Sequence, residues 1–218
     1  MERCELIGLG YWAVILEFEE IFVEILNTIL PSINNLKKKI LFLDLADVKR
    51  RTKEDLSSFL KVLPKVDETI PLLLSLNDQE AMGVLSALNK THFLKKKRDN
   101  INNLTEAGKY INNVLNLSYL VIHSPHFATI TTKTDHYWVT EGYTSNPRYT
   151  TSAGDHFNAG TVLGLACGLT PAEAILIGNA VTAIFVRTGK SPNNEDLKWF
   201  TEKYLTYIEK DNPNFTQS

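Results

Sequence analysis

Short apolar runs alternate along this chain with longer segments of helical periodicity, and this alternation constrains the fold more than any other feature. The apolar runs predict strands at Leu6–Leu9, Ile40–Leu45, Thr69–Leu76, Tyr119–His123, Phe127–Thr132 and Tyr137–Thr140. Helical spacing, capping residues and prolines predict helices at 17–30, 52–63, from 77 onward, and at 105–115, 151–167, 170–189 and 194–208. Alternating strands and helices favour a mostly parallel sheet with helices on both faces. Because no linker or internal repeat interrupts the 218 residues, we expect a single α/β domain over residues 1–218.

Composition and charge exclude several classes of protein. Hydrophobic residues make up 44% and charged residues 22% of the chain, as in an ordinary globular protein. A net charge of −2 gives no global field for nucleic acid or anionic lipid, and the basic runs Lys37–Lys39 and Lys95–Arg98 are interpreted as solvated faces. No apolar stretch reaches membrane-spanning length, and the amino terminus has no signal-peptide core. We therefore expect a cytoplasmic protein without nucleic-acid or membrane partners.

The stretch from Thr150 to Gly160 carries the most specific chemistry, and it reads Thr-Thr-Ser-Ala-Gly-Asp-His-Phe-Asn-Ala-Gly. Ser152, Ala153 and Gly154 are small and stand where a loop turns into a helix, so that a phosphate can approach free backbone N–H groups. Asp155, in the first helical turn, can accept a proton from a hydroxyl that attacks this phosphate. The alternative is a capping box, in which Ser152 and Asp155 only satisfy donors at the helix end.

This string closely resembles the signature of the ribokinase-like (PfkB) carbohydrate kinases, which is Asp-Thr-Thr-Gly-Ala-Gly-Asp, an arbitrary residue, Phe, and then small residues. The matching positions are Thr150, Thr151, Ala153, Gly154, Asp155, Phe157, Ala159 and Gly160. Two positions depart, with Tyr149 in place of the usual Asp and Ser152 in place of the first Gly. The resemblance implies a three-layer, Rossmann-like fold, ATP and Mg²⁺ as cofactors, Asp155 as catalytic base, and the amides of Ala153, Gly154 and Asp155 at the transferred phosphate.

A second motif supports the resemblance in the right chain order. Asn77-x-x-Glu80 follows a predicted strand and is similar to the family's Asn-x-x-Glu motif, whose carboxylate holds magnesium, generally through water. Mg²⁺ prefers oxygen ligands and keeps most of its waters, so a single protein carboxylate suits it. The competing interpretation is again a helix cap made by Asn77 and Glu80. Asp44, at the end of another predicted strand, either lies near the site or caps the next loop.

Two further residues are assigned to the nucleotide by position in the family pattern. Ser124 falls where relatives have a Thr-x-Gly turn near the ATP phosphates, although Pro125 and His126 depart from that pattern. Asn179 falls on the helix that faces the nucleotide in the family, with a surface or helix-packing role as the alternative. A zinc site at His123 and His126 is not expected, because no third ligand clusters with them at the required spacing.

The resemblance extends from about Leu6 to Phe200 but matches only the later portion of the family's usual length. Its amino-terminal segment, with sugar-contacting residues and a β-lid that often mediates dimers, has no counterpart before Met1, so we expect a fragment or a natural short form. The resemblance leaves open whether the protein forms a homodimer. The implied function is ATP-dependent phosphorylation of a hydroxyl on a small molecule, a sugar or nucleoside-like compound. The alternative is a nucleotide-binding relative or fragment that is weak or inactive as a catalyst.

Overall fold

The computed structural model describes residues 4–90, 100–210 and 215, so the basic run Lys95–Arg98 lies outside the described residues. The strands are Leu6–Leu9 (β1), Ile40–Asp44 (β2), Leu72–Asn77 (β3), Tyr119–His123 (β4), Phe127–Thr131 (β5) and His136–Thr140 (β6). They follow one another through a six-stranded sheet in chain order. The strand predictions are confirmed, with shifts of a few residues at their ends.

The sheet is parallel in its first half. β1 pairs in parallel with β2 through the register Leu6↔Ile40, and β2 pairs in parallel with β3 through Leu41↔Leu72. β3 is buried over all but its last residue, which is typical of a central parallel strand. Connections of three and four residues join β4 to β5 and β5 to β6. Such connections are too short for a parallel crossover, so these pairs are antiparallel and the sheet is mixed.

Helices separate the first four strands as predicted, whereas β4, β5 and β6 follow one another directly. They are Phe18–Glu24 (α1), Lys53–Leu60 (α2), Leu63–Thr69 (α3), Asp78–Ala87 (α4), Ile101–Leu115 (α5), Ala153–Ala166 (α6), Pro171–Thr188 (α7), Asn194–Glu202 (α8) and Tyr204–Lys210 (α9). Among the residues that the structure covers, no helix combines the length and hydrophobicity that crossing a membrane requires.

Some helix predictions were wrong in detail. The helix predicted at 17–30 is an α-helix over Phe18–Glu24 and continues as a π-helix over Ile25–Ile29. Pro64 was expected to end the helix that begins after Thr52, but α2 ends at Leu60 and Pro64 lies in the first turn of α3. Proline is tolerated there because the first-turn N–H groups have no intrahelical partner. The helix predicted at 194–208 is divided at Lys203, whose φ and ψ of −109° and 11° end α8.

The described chain divides into two compact units. The first contains the described residues up to Ile122 together with Ile130–His136, and the second contains His123–Thr129 together with the described residues from Tyr137 onward. In the first unit, Trp12 stacks on Phe59 at 5.2 Å, and Phe22 lies 5.5 Å from the same ring. The expectation of one domain stays a prediction.

In the second unit, α6 and α7 pack closely through glycines. A Cβ added to Gly178 would lie 2.8 Å from the backbone oxygen of Phe157, and one added to Gly160 would lie 2.9 Å from the Cα of Gly178. Small residues are therefore required at this helix crossing. A separate cluster of Ala180, Ala183, Ile184, Phe200, Tyr204 and Tyr207 packs the other side of α7 against α8 and α9. This packing fixes the start of α6, where the signature lies.

Candidate active site

Ser152, at the start of α6, adopts a left-handed backbone conformation with φ and ψ of 66° and 13°. Its side chain makes no capping hydrogen bond. The capping-box alternative for Ser152 and Asp155 is therefore wrong. In the family signature this position is a glycine, which reaches the left-handed region without strain.

The left-handed residue leaves two backbone donors available. The N–H of Ala153 donates to the Thr150 carbonyl at 3.2 Å, so this amide is already engaged. Within residues 4–90, 100–210 and 215, no acceptor is recorded for the N–H groups of Gly154 and Asp155. A left-handed residue followed by helical ones directs successive N–H groups toward one concavity, which is a common anion-binding arrangement. Two of the three amides assigned to the phosphate are thus free for it.

The carboxylate of Asp155 is accessible. Asp155 is exposed, and no hydrogen bond or ion pair of its side chain is recorded in the described part of the chain. A general base must reach the proton it accepts, so a carboxylate enclosed in protein packing would be unsuitable. The accessibility of Asp155 is compatible with its assigned role.

His123 at the end of β4 is a neighbour of this loop that the sequence reasoning considered only as a metal ligand. A Cβ added to Gly154 would lie 3.4 Å from the His123 Cε1 atom, so the ring backs the glycine directly. The imidazole stacks on Phe157 with 4.6 Å between ring centroids. Burial lowers the pKa of His123 to about 4, so the ring is neutral at neutral pH. In the sequence, only the position of His123 at the end of a predicted strand, directly before Ser124, indicated that it lies near the site.

The Ser124 hydroxyl closes the turn between β4 and β5. It donates to the Phe127 carbonyl at 3.2 Å and accepts from the N–H groups of His126 and Phe127 at 3.3 and 3.2 Å. A hydroxyl has one donor and two acceptor positions, so these three bonds use its full capacity. The side chain is also buried. These contacts give no support to the assignment of the Ser124 hydroxyl to the nucleotide.

Asn179 on α7 is fully buried. Its Nδ2 donates to the Thr140 carbonyl at 2.8 Å and lies 3.4 Å from the Tyr204 hydroxyl. The side chain therefore joins the end of β6 to α7 and α9, all within the second unit. This position agrees with the helix-packing alternative and gives no support to a direct contact with adenine.

In the first unit, the Asn77 and Glu80 side chains form the capping box that was the competing interpretation. Asn77 Oδ1 accepts from the N–H groups of Gln79 and Glu80, both at 2.9 Å, and Glu80 Oε2 accepts from the Asn77 N–H at 2.9 Å. Glu80 is nevertheless buried, and burial, with the nearby charges of Asp44 and Asp47, raises its pKa to about 7. A helix-capping carboxylate ordinarily keeps a low pKa, because the donated hydrogen bonds favour its charged form. The surroundings of Glu80 thus disfavour the ionised form of its carboxyl group.

The charges of Asp44 and Asp47 near Glu80 would favour a hydrated divalent cation at this carboxylate. A cation beside Asp44, Asp47 and Glu80 would offset the mutual repulsion that opposes ionisation of Glu80. Across the described residues, no set of three His, Cys, Asp or Glu side chains is placed to hold a metal directly. Mg²⁺ is commonly bound through one or two carboxylates with its waters retained, so a small donor set is compatible with it.

A cavity of about 510 Å³ in the second unit lies apart from the assigned residues. Its lining includes Arg148, Lys190 and Ser191 but none of the residues assigned from the sequence. Its connection to the signature is through Ser191, whose hydroxyl is 3.0 Å from the Nε2 atom of His156. The cavity therefore does not decide where the phosphate binds.

Comparison with known proteins assigns the chain to a class. It resembles the crystal structure of ribokinase from Thermotoga maritima with a TM-score of 0.61 and 16% identity, over 92% of this chain and 58% of that chain. It also resembles pyridoxal kinase from Staphylococcus aureus in complex with AMP-PCP, with a TM-score of 0.61 and 20% identity, over 87% of this chain and 65% of that chain. The fold is therefore the ribokinase-like fold of the PfkB-type carbohydrate kinases, as the signature implied.

The sequence narrows the class to a family. A model of the prokaryotic ketohexokinase family matches residues 1–204, so the chain belongs to that family. A curated relative, the ketohexokinase of Haloferax volcanii, is 26% identical over 211 residues, which are 96% of this chain and 53% of the relative. The chain thus spans about half the length of this relative.

Proposed function

We propose that this chain supplies the phosphoryl-transfer part of a sugar kinase that uses ATP as donor. The observation that carries the proposal is the left-handed Ser152, which leaves the N–H groups of Gly154 and Asp155 without protein acceptors among the described residues. These amides would bind oxygens of the transferring phosphoryl group, where the positive end of the α6 dipole adds to the attraction. Membership of the ketohexokinase family makes a ketohexose the first acceptor to test.

In this proposal Asp155 is the general base. The hydroxyl of the acceptor sugar loses its proton to the Asp155 carboxylate while its oxygen forms a bond to phosphorus, and the bond between phosphorus and the leaving ADP oxygen breaks. Phosphoryl transfer depends mainly on positioning and on stabilisation of charge. An accessible carboxylate next to two free amides would supply a base and two donors for this step. The neutral His123 would back the loop without adding a charge to it.

ATP and Mg²⁺ are the groups that the family implies, and local features of this chain fit each of them. The pair of free amides in the second unit fits a phosphate, and the pyridoxal kinase of Staphylococcus aureus with the same fold was solved with AMP-PCP. The raised pKa of Glu80 in the first unit fits a hydrated cation. Asn77 bonds both the Glu80 N–H and the Glu80 carboxylate and so holds this residue in place. When bound, Mg²⁺ would neutralise phosphate charge.

The decisive experiment replaces the proposed base. Asp155→Asn, made in a form that includes any upstream segment, should lower acceptor-dependent ADP release by about 10²–10⁴-fold while thermal stabilisation by AMP-PCP is kept. Asp135→Asn is the matched control, because Asp135 is an exposed carboxylate in the β5–β6 hairpin. Undiminished turnover in Asp155→Asn would rule out the base assignment.

A second candidate function is nucleotide binding without catalysis. The engaged amide of Ala153 favours it, because one of the three donors assigned to the phosphate is already bonded to Thr150. Thermal stabilisation by ATP without turnover of ketohexoses, nucleosides or hydroxymethyl-pyrimidines, even with upstream sequence present, would select this alternative. Turnover of any of these acceptors would exclude it and identify the substrate class.

A further inference from the structure

His156, the residue after the proposed base, makes more contacts than its place in the signature requires. Its Nδ1 atom lies 2.8 Å from the Ser152 carbonyl oxygen, and its Nε2 atom lies 3.0 Å from the Ser191 hydroxyl. Its ring stacks on Phe185 with 3.7 Å between centroids and 12° between planes. One side chain thus joins the loop before α6, the last turns of α7 and the segment after α7.

The contact with the Ser152 carbonyl fixes the position of one ring proton. The Ser152 carbonyl can only accept a hydrogen bond, so Nδ1 must carry the proton that it donates. In a neutral ring Nε2 then accepts from the Ser191 hydroxyl. Stacking on the buried Phe185 restricts rotation, so both hydrogen bonds hold the Ser152 carbonyl in one direction.

The restrained carbonyl belongs to the residue whose conformation creates the free amides. An L residue in the left-handed region suffers a close approach of its Cβ, a strain that glycine avoids. Ser152 has no capping bond of its own to offset this strain, but its carbonyl accepts from both the N–H of His156 at 3.1 Å and the His156 ring. The departure from glycine at 152 and the histidine at 156 are therefore physically linked.

We propose that His156 is a positioning residue that holds the left-handed Ser152, and with it the N–H groups of Gly154 and Asp155, in the phosphate-binding conformation. The inference rests on the proposed function for its catalytic consequence. The family signature allows any residue after the aspartate. Support of Ser152 by a histidine at position 156 is therefore a feature of this chain. His156 does not contact the reacting atoms in this account and acts only through the loop.

A double-mutant cycle tests the link between the two positions. His156→Phe keeps a ring over Phe185 but removes both ring nitrogens. With Ser152 present, it should lower kcat about tenfold and leave KM for the acceptor unchanged, because the hydrogen bonds that hold the loop are lost. In a Ser152→Gly background the same change should lower kcat by no more than about threefold, because glycine needs no support. An equal loss in both backgrounds would overturn the inference.

A second measurement does not depend on turnover. Long-range ¹H–¹⁵N NMR of the chain without ligand should show the proton of His156 on Nδ1, whereas histidine side chains in water mostly carry it on Nε2. A proton on Nε2 would contradict the hydrogen bond to Ser152 and sink the proposal. If the Nδ1 proton is present but neither the wild type nor Ser152→Gly turns over any acceptor, the proposed function fails and the local role of His156 stands.

Discussion

Replacing Glu80 by glutamine should change how the stability of this protein depends on pH. Glu80 is buried, and burial and its acidic neighbours Asp44 and Asp47 raise its pKa from 4.5 to about 7. Glutamine is neutral at every pH and keeps an oxygen that can accept from the Asn77 N–H, as Glu80 does at 2.9 Å. The substitution therefore removes the titration of residue 80 and preserves the start of α4.

The magnitude follows from proton linkage. Because the folded-state pKa of Glu80 lies above its unfolded value, the folded state binds this proton more tightly. The group's contribution to stability is fully present below pH 4.5 and is lost as the pH rises through 7. Between pH 5 and pH 8 the loss is about 2 to 3 kcal/mol of unfolding free energy. Wild type should therefore lose about this much more stability than Glu80→Gln over the interval.

Urea unfolding monitored by the fluorescence of Trp12, in a Trp138→Phe, Trp199→Phe background, measures the difference. Trp12 is buried and lies in the same unit as Glu80. Mg²⁺ sharpens the test, because a cation that binds ionised Glu80 should stabilise wild type more at pH 8 than at pH 5. Glu80→Gln should show little of this effect. If the unfolding free energies of the two proteins change in parallel with pH, the raised pKa of Glu80 is refuted. If Mg²⁺ stabilises both proteins equally, Glu80 is not part of the proposed cation site.

Two further substitutions test the packing inside each unit separately. Asp67→Ala should lower the unfolding free energy by about 3 kcal/mol, because the buried Asp67 carboxylate accepts from Leu72 N–H, Ser118 N–H and Lys133 at 2.7–2.8 Å. Urea unfolding measures this loss, and a loss near that of the exposed control Asp135→Ala would count against it. Gly178→Ala should destabilise by about 1 to 3 kcal/mol, because its Cβ would overlap the Phe157 carbonyl. Gly8→Ala is the control in thermal unfolding, because its Cβ would lie 3.6 Å from Phe42, an ordinary contact distance. An equal shift in Tm for both variants would show that the helices relax freely.

The sheet and most helices could be predicted because their signals are local. Apolar runs and punctuating prolines and glycines identify β1 to β6, and the capping boxes at Thr52 and Thr170 begin α2 and α7 as expected. Pro64 misled the prediction because proline is compatible both with the end of one helix and with the first turn of the next. Spacing alone could not distinguish these two cases.

The candidate site was only partly predictable, because its conformation depends on distant residues. Ser152-x-x-Asp155 has the sequence of a capping box, but the structure has a left-handed Ser152 without a capping bond. The Ser152 carbonyl lies against a His156 ring that is itself held by Ser191 and Phe185, and sequence spacing does not reveal these contacts. Burial of Asn179 against Thr140 and Tyr204 likewise depends on how α7 packs against other segments. A family pattern records which residue types occur, and it does not record these tertiary contacts.

The amide resonances of Gly154 and Asp155 report most directly on whether this loop holds a phosphoryl group. We would titrate AMP-PCP with Mg²⁺ into the protein and follow these two amides beside that of Gly168, which lies just beyond the other end of α6. We expect saturable shifts of the Gly154 and Asp155 amide resonances, with that of Gly168 unmoved. Saturation of AMP-PCP binding while Gly154 and Asp155 stay in place would contradict it.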